Sequence, residues 1–342
     1  MEEIKRWIKV WVIAFIALTY CYFIPSRIPK GKLRLVSVIP VVYLFIILPW
    51  NLHSNLLGGP TAFSLVWLGN FNLLLFSFGK GPLSPPPKHG SISLFTFLAL
   101  AFLPIKIKQQ TNNNNSPSSG ILKPPSALHF ATEVLVLAIL STKQNIHPKL
   151  VTLCYCGYLY IGLQFILLAV GVVAAKVLHL EIEPPFNDPY LSTSLQDFWA
   201  RRWNLLMTNI LRLTVYEPLK KWGHLKAQFA AFVVSGLMHE IIFFYLGGRV
   251  NPPTWEITCF FVLQGFCVCL EVKVKKLVKG SRWSLPPMVS TPLTVGFLTV
   301  TSSWLLFPPL IRGGFDVKSR REIVAVIDYV KDISKQMGVQ SY

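Results

Sequence analysis

The chain has 342 residues, of which 52% are hydrophobic and 14% charged, and it carries a net charge of +18. Soluble domains carry roughly 25% charged residues, so this composition excludes an ordinary soluble globular fold. It also weakens a nucleic-acid reading of the charge, because the basic residues lie in short loops between apolar runs: Lys5, Arg6 and Lys9; Arg27, Lys30, Lys32 and Arg34; Lys273, Lys275, Lys276 and Lys279; Arg312, Lys318, Arg320 and Arg321. Clusters of this kind flank membrane spans and bind anionic head groups, and they also suit the phosphates of a soluble cofactor.

Four stretches contain no Asp, Glu, Lys or Arg: 10–26, 35–79, 150–175 and 284–311. A spanning helix needs about 20 apolar residues, and lipid forces every backbone polar group to pair within its own element. The pattern therefore predicts an all-α, polytopic transmembrane protein. Spans are expected at 7–24, 33–50, 61–79, 91–105, 127–141, 150–176, 205–217, 226–246, 255–270 and 288–308. The count is eight to ten, because 91–105, 127–141 and 205–217 are short enough to be re-entrant or buried among other helices. The first 24 residues have the basic start and apolar core of a signal peptide. They end in Tyr20-Cys21-Tyr22-Phe23-Ile24-Pro25, which lacks a small-x-small cleavage site, so a retained first span is expected. Asn51 to Pro60 breaks the long second run with a Gly-Gly-Pro turn.

Residues 106–120 (KIKQQTNNNNSPSSG) are polar and low in complexity, and a disordered loop is expected there, with a formal glycosylation sequon at Asn114. The polar tail, 312–342, carries Ile323, Val326, Ile327, Val330 and Ile333 at helical spacing, which predicts an amphipathic surface helix over 319–337. The chain has no internal repeat, which weighs against a transporter built from inverted halves. Cys154/Cys156 and Cys267/Cys269 form C-x-C pairs without His or carboxylate partners at metal spacing, so buried thiols are expected and no metal site.

Two stretches break the apolar pattern. The first is PPFNDPYLSTSLQDFWARRWN, Pro184 to Asn204. Its prolines make the approach irregular, and Ser194-Leu195-Gln196-Asp197 fits a capping box, so a helix should begin there. Asp197 and Arg201, four apart, are expected to pair on it. Trp199 and Trp203 suit a membrane-interface belt, and Arg201 and Arg202 suit phosphates. A positively charged interfacial helix and a binding element are equally consistent with these residues. The second stretch is a span in which His239 and Glu240 fall past the middle. Ionisable groups at such depth usually face a cavity or polar pathway. Desolvation favours the uncharged form, and a neutral imidazole can accept a proton. Position 243 is Phe, so the sequence is not a zincin HExxH. Ser235 lies one turn before His239, within reach of its ring, although serines in membrane helices more often bond back to their own backbone. His129 and Glu133 form a second, weaker pair at i, i+4, and His53, His89, His147, His179 and His224 fall in loops or span ends.

SLQDFWARRWN (Ser194 to Asn204), followed 35 residues later by His239 in SGLMHE, resembles the plant wax synthase family, the long-chain-alcohol O-fatty-acyltransferases. These form a branch of the membrane-bound O-acyltransferases. IPSRIPKGKLRL, LGGPTAF, GPLSPPP, LPIKIK and EPPFNDPYLSTSLQDFW extend the resemblance over the whole chain. The resemblance implies one integral membrane domain over 1–342, in the endoplasmic reticulum. It implies transfer of an acyl group from acyl-CoA, a co-substrate, to a lipid alcohol, with no further cofactor and no nucleic acid. It matches His239 to the family's intramembrane catalytic histidine and Asn204 to its conserved Asn. Relatives read FWGRRWN where this chain has Ala200. The expected substrate contacts are Trp199, Arg201, Arg202, Trp203, Ser235 and Glu240, with Lys220 and Lys221 as further partners for CoA phosphates. Glu240 is expected to bond a neighbouring helix rather than His239, because adjacent residues diverge around a helix. A sterol or diacylglycerol acceptor, or an acetyl donor, fits the same pattern. Competing classes are a transporter with His239 and Glu240 on a proton or solute path, and a scaffold in which His239 is packed.

Overall fold

The computed structural model describes residues 2–84, 92–108, 148–246, 253–277 and 285–336. The span expected at 127–141, the His129/Glu133 pair, His89, His147, Lys279, the Asn114 sequon and the expected loop from 109 onward lie outside these residues.

Seven of the described helical stretches are long and apolar enough to cross a membrane. In chain order they include α1 (Glu2–Phe23), α2 (Lys32–Ile47), α3 (Asn55–Ser77), α5 (Pro148–Leu178), α8 (His224–Leu246), α9 (Glu256–Leu277) and α10 (Pro287–Arg312). Between them lie the short α4 (Leu94–Phe102), α6 (195–202) and α7 (205–219), and α11 (Phe315–Gln336) closes the described chain. Two stretches expected to be short spans fall below the seven. With nine residues, α4 rises only about 13 Å, and its Phe97, Leu100, Ala101 and Phe102 are buried against α1, α2 and α3. The apolar run at 205–217 became α7, whose Leu206, Met207 and Ile210 are likewise buried inside the protein.

Helix α3 is the centre of the bundle. Of its most apolar window 78% is buried, against 22–33% for the other six spans. Those six present Phe15, Ile16, Val36, Tyr43, Val173, Leu237, Phe266 and Val300 outward, a surface that water would penalise and acyl chains solvate. One core cluster joins α1, α2, α3 and α4 through Leu18, Val38, Phe45, Leu65 and Phe97. The start of α3 is held by other helices. Ser54 Oγ accepts from Leu57 N at 3.1 Å. Glu3 of α1 accepts from the backbone N–H of Ser54 at 2.7 Å, and Glu322 of α11 accepts from Asn55 N and Leu56 N, both at 2.9 Å. Carboxylates at a helix N-terminus satisfy orphan donors and oppose the helix dipole. This contact docks the amphipathic α11, which leaves Val326 and Ile327 exposed.

The residues before the first candidate stretch are anchored by a two-stranded ladder. Strand β1 (Lys106–Ile107) pairs antiparallel with β2 (Ile182–Glu183), and Lys106 Nζ lies 2.5 Å from Glu183. The segment expected as a loop from 106 therefore begins with paired backbone.

Candidate active site

Helix α6 begins at the predicted cap. Ser194 Oγ accepts from Asp197 N at 3.1 Å, and Asp197 Oδ2 accepts from Thr193 N at 3.4 Å. From Phe198 to Arg202 the helix widens to a π turn, and Trp203 N donates to Phe198 O at 2.9 Å. A π turn closes at i+5, so the residue five positions on stands over the first. Asp197 accordingly pairs with Arg202, at 2.7 Å from Nε, and not with Arg201 as α-helical spacing predicts. The Arg202 guanidinium also donates to the carbonyls of Asn187 and Asp188, both at 3.2 Å, and so ties the proline-rich approach to the helix. Arg201 is exposed and has no part in this knot.

Asn204 follows with φ 39, in the left-handed region that Asn tolerates. It caps α7, its Oδ1 accepting from Met207 N at 3.3 Å. Helix α7 then packs Leu206, Met207 and Ile210 against Trp67, Leu68 and Phe71 of α3 and Ile242 of α8.

His239 sits at the junction of α8 with α3 and α9. Its Nδ1 is 2.7 Å from the carbonyl oxygen of Ser235. A carbonyl only accepts, so Nδ1 carries the hydrogen in the neutral ring and Nε2 keeps its lone pair. Ser235 Oγ is farther from the ring, at 3.5 Å. Phe261 of α9 stacks on the imidazole with centroids 4.2 Å apart, and Trp67 of α3 meets it near-perpendicularly at 4.7 Å. Phe243 lies 6.2 Å away. Aromatic rings on three sides fix the ring's plane and keep its surroundings apolar.

Close approach of α8 and α9 builds this box. A Cβ at Gly236 would meet Thr258 Cα at 3.1 Å and Phe261 Cβ at 3.2 Å, and one at Gly265 would meet Phe232 Cβ at 2.7 Å. Small residues let membrane helices pack backbone to backbone. Glu240, buried beside His239 in sequence, faces the other way. It accepts from Trp255 N at 2.9 Å and from Thr258 N and Oγ1, both at 3.0 Å, and so caps the start of α9. Bonding to the neighbouring helix agrees with the sequence expectation. Farther along α9, the fully buried Gln264 accepts from the Trp199 indole at 3.3 Å and donates to Thr301 of α10 at 2.9 Å. Trp199 also packs on Phe232 and on Phe261, the ring that stacks on His239. The first candidate stretch thus touches the histidine's surroundings through one aromatic neighbour.

The profile of the Membrane bound O-acyl transferase family matches residues 182–263, which hold Asn204, His239 and Phe261. Full-length relatives agree. The chain is 42% identical to the long-chain-alcohol O-fatty-acyltransferase of Simmondsia chinensis over 99% of this chain and 98% of the relative. It is 40% identical to the probable long-chain-alcohol O-fatty-acyltransferase 8 of Arabidopsis thaliana, covering 96% of this chain and 97% of that one. It is also 40% identical to the acyl-CoA--sterol O-acyltransferase 1 of the same plant, over 96% and 97%. The chain belongs to the membrane-bound O-acyltransferase family, in its wax synthase branch. It is therefore an acyltransferase and a multi-pass membrane protein.

Within this acyltransferase the expected site residues divide into two groups. His239, Ser235 and Trp199 lie in or against the aromatic box. Asn204 opens the helix that packs on α8, and its Oδ1 serves the cap rather than the imidazole. Arg202 and Glu240 are occupied by helix ends and loops, and Trp203 stacks on Phe198 and meets Phe186 edge-on, on the α5 side. Lys220 pairs with Glu217, and Lys221 lies over the Trp222 ring. Ala200 is exposed, so its methyl group crowds no close backbone contact. Sequence reasoning missed Trp67, Phe261 and Gln264. Trp67 lies in the π segment Phe63–Gly69, and the one signal in the sequence was a tryptophan deep inside a charge-free span just after LGGPTAF.

Proposed function

We propose that this enzyme esterifies a long-chain fatty alcohol with the acyl group of acyl-CoA, forming a wax ester in the endoplasmic reticulum membrane. The observation that carries the reading is the oriented imidazole of His239, with Nδ1–H given to Ser235 O and Nε2 left as the acceptor. Nε2 takes the proton of the alcohol as its oxygen attacks the thioester carbonyl. The tetrahedral centre then expels the CoA thiolate, which recovers the proton from the imidazolium. Carbon–oxygen bond formation is balanced by carbon–sulfur cleavage, and no covalent acyl-enzyme is needed when both substrates are held together. The alcohol reaches the site from the bilayer, and CoA stays on the aqueous side. Arg201, exposed and outside the Asp197–Arg202 knot, is suited to a CoA phosphate.

A sterol acceptor is the second reading, supported by the 40% identity to an acyl-CoA--sterol O-acyltransferase. Both are tested in microsomes of yeast that lack their own neutral-lipid acyltransferases. Labelled acyl-CoA is supplied with fatty alcohol, sterol or diacylglycerol to wild type and His239→Ala. Label in the fatty-alcohol product, lost in a normally expressed His239→Ala, is the expected result. Label in the sterol or diacylglycerol product alone changes the acceptor. Equal product from both proteins, above the empty-vector background, removes His239 as the base. Stable membrane protein without ester in any lane sends the reading back to other acyl donors and then to transport.

A further inference from the structure

Trp67 is 2% exposed, and its indole N–H has no hydrogen-bond partner among the described residues. Three less buried indoles are satisfied. Trp7 and Trp11 donate to Thr61 Oγ1 at 3.1 and 3.2 Å, and Trp199 donates to Gln264 at 3.3 Å. A buried donor left unpaired costs about 1–3 kcal/mol, and this one lies beside the histidine. Three residues on, the side-chain oxygen of Asn70 is also buried and unpaired. The backbone around Trp67 is a π segment, a local departure that recurs at functional sites. Its ring centre lies 4.7 Å from that of His239, so the unpaired donor belongs to a ring in contact with the imidazole.

We propose that the Trp67 indole N–H binds the carbonyl oxygen of the acyl thioester and stabilises the oxyanion formed on it. The inference rests on the acyl-transfer reading of His239. Of the two oxygens that react beside the imidazole, the hydroxyl oxygen must keep its electron pair for attack, and a donor there would slow it. The carbonyl oxygen gains a full negative charge when the carbon–oxygen bond forms, and a donor there lowers the barrier. When the carbon–sulfur bond breaks, the pair returns to the carbonyl and the thiolate leaves with the proton held on His239. The indole donates throughout and transfers nothing.

The test replaces Trp67 with Phe and, by codon suppression, with 3-benzothienylalanine, which keeps the ring shape and lacks the N–H. Both variants are assayed as full-length enzyme in membranes. The expected result is a kcat lower by on the order of 100-fold with little change in the KM for alcohol. A second measurement does not depend on turnover. Wild type is expected to bind a non-transferable CoA ketone, which retains the carbonyl, several-fold tighter than the CoA thioether that lacks it, and both Trp67 variants should lose that preference. Repeating the binding comparison in His239→Ala separates the two claims, because the ketone preference should persist there. If the benzothienylalanine enzyme keeps wild-type kcat, or if the ketone preference survives in it, the proposal is wrong. A Trp67→Phe protein that melts early while the isostere behaves as wild type also overturns it, since the ring alone would then matter.

Discussion

Replacing Glu240 with Gln tests whether this buried carboxylate holds the fold or joins the chemistry. In the structure it accepts three hydrogen bonds, at 2.9, 3.0 and 3.0 Å, all from the first turn of α9 and the residue before it. Gln retains one oxygen, enough for Thr258 N and Oγ1, and sets its NH2 group against Trp255 N–H. One donor is orphaned, and two charge-assisted bonds become neutral ones. Charge-assisted bonds contribute roughly 1.5–3 kcal/mol against about 1 for neutral ones, and the dipole of α9 loses its counter-charge, worth up to about 1 more. The terms overlap, so the expected loss is about 2–3 kcal/mol. That corresponds to a fall in Tm on the order of 5 °C, read by intrinsic fluorescence in detergent. Ester formation per folded enzyme should stay within about twofold of wild type, because Glu240 turns away from the imidazole; a twofold change is only about 0.4 kcal/mol of barrier. An unchanged Tm with a tenfold or greater fall in kcat would refute the reasoning, since the carboxylate would then act on substrate or on His239.

Gly236→Ala should lower both Tm and kcat. The added methyl meets Thr258 Cα at 3.1 Å and Phe261 Cβ at 3.2 Å, atoms that no rotamer change can move aside, and overpacking of this kind costs about 1–3 kcal/mol. Gly296→Ala, whose methyl meets nothing within 4 Å, is the control and should be neutral or slightly stabilising. The two arginines of the first stretch should separate. Arg202→Ala breaks the knot with Asp197, Asn187 and Asp188 and should lower Tm, whereas Arg201→Ala should leave Tm unchanged and raise the KM for acyl-CoA. Parallel melting curves and acyl-CoA titrations check both.

The sequence by itself determined the bundle and singled out the candidate residues. Charge-free runs longer than a bilayer's thickness become helices because lipid offers the backbone no other partner, and 35–79 and 284–311 yielded α2, α3 and α10 on that ground. A histidine inside a span is costly enough to mark a candidate site before any neighbour is known, and Ser194 capped its helix as its spacing said. Tertiary structure decided the rest. Hydropathy could not tell a spanning helix from one buried by neighbours, so α4 and α7 stayed open between the two until tertiary structure buried them inside the protein. Periodicity assumes α-helical spacing, so it assigned Asp197 to Arg201, and only the π turn delivered Arg202. Trp67 stands 172 positions before His239, and nothing local records that α3 would bring its ring against the imidazole. Local chemistry is written along the chain, but which distant side chains share a volume depends on how helices pack, and here on glycines that let α8 and α9 close around the ring.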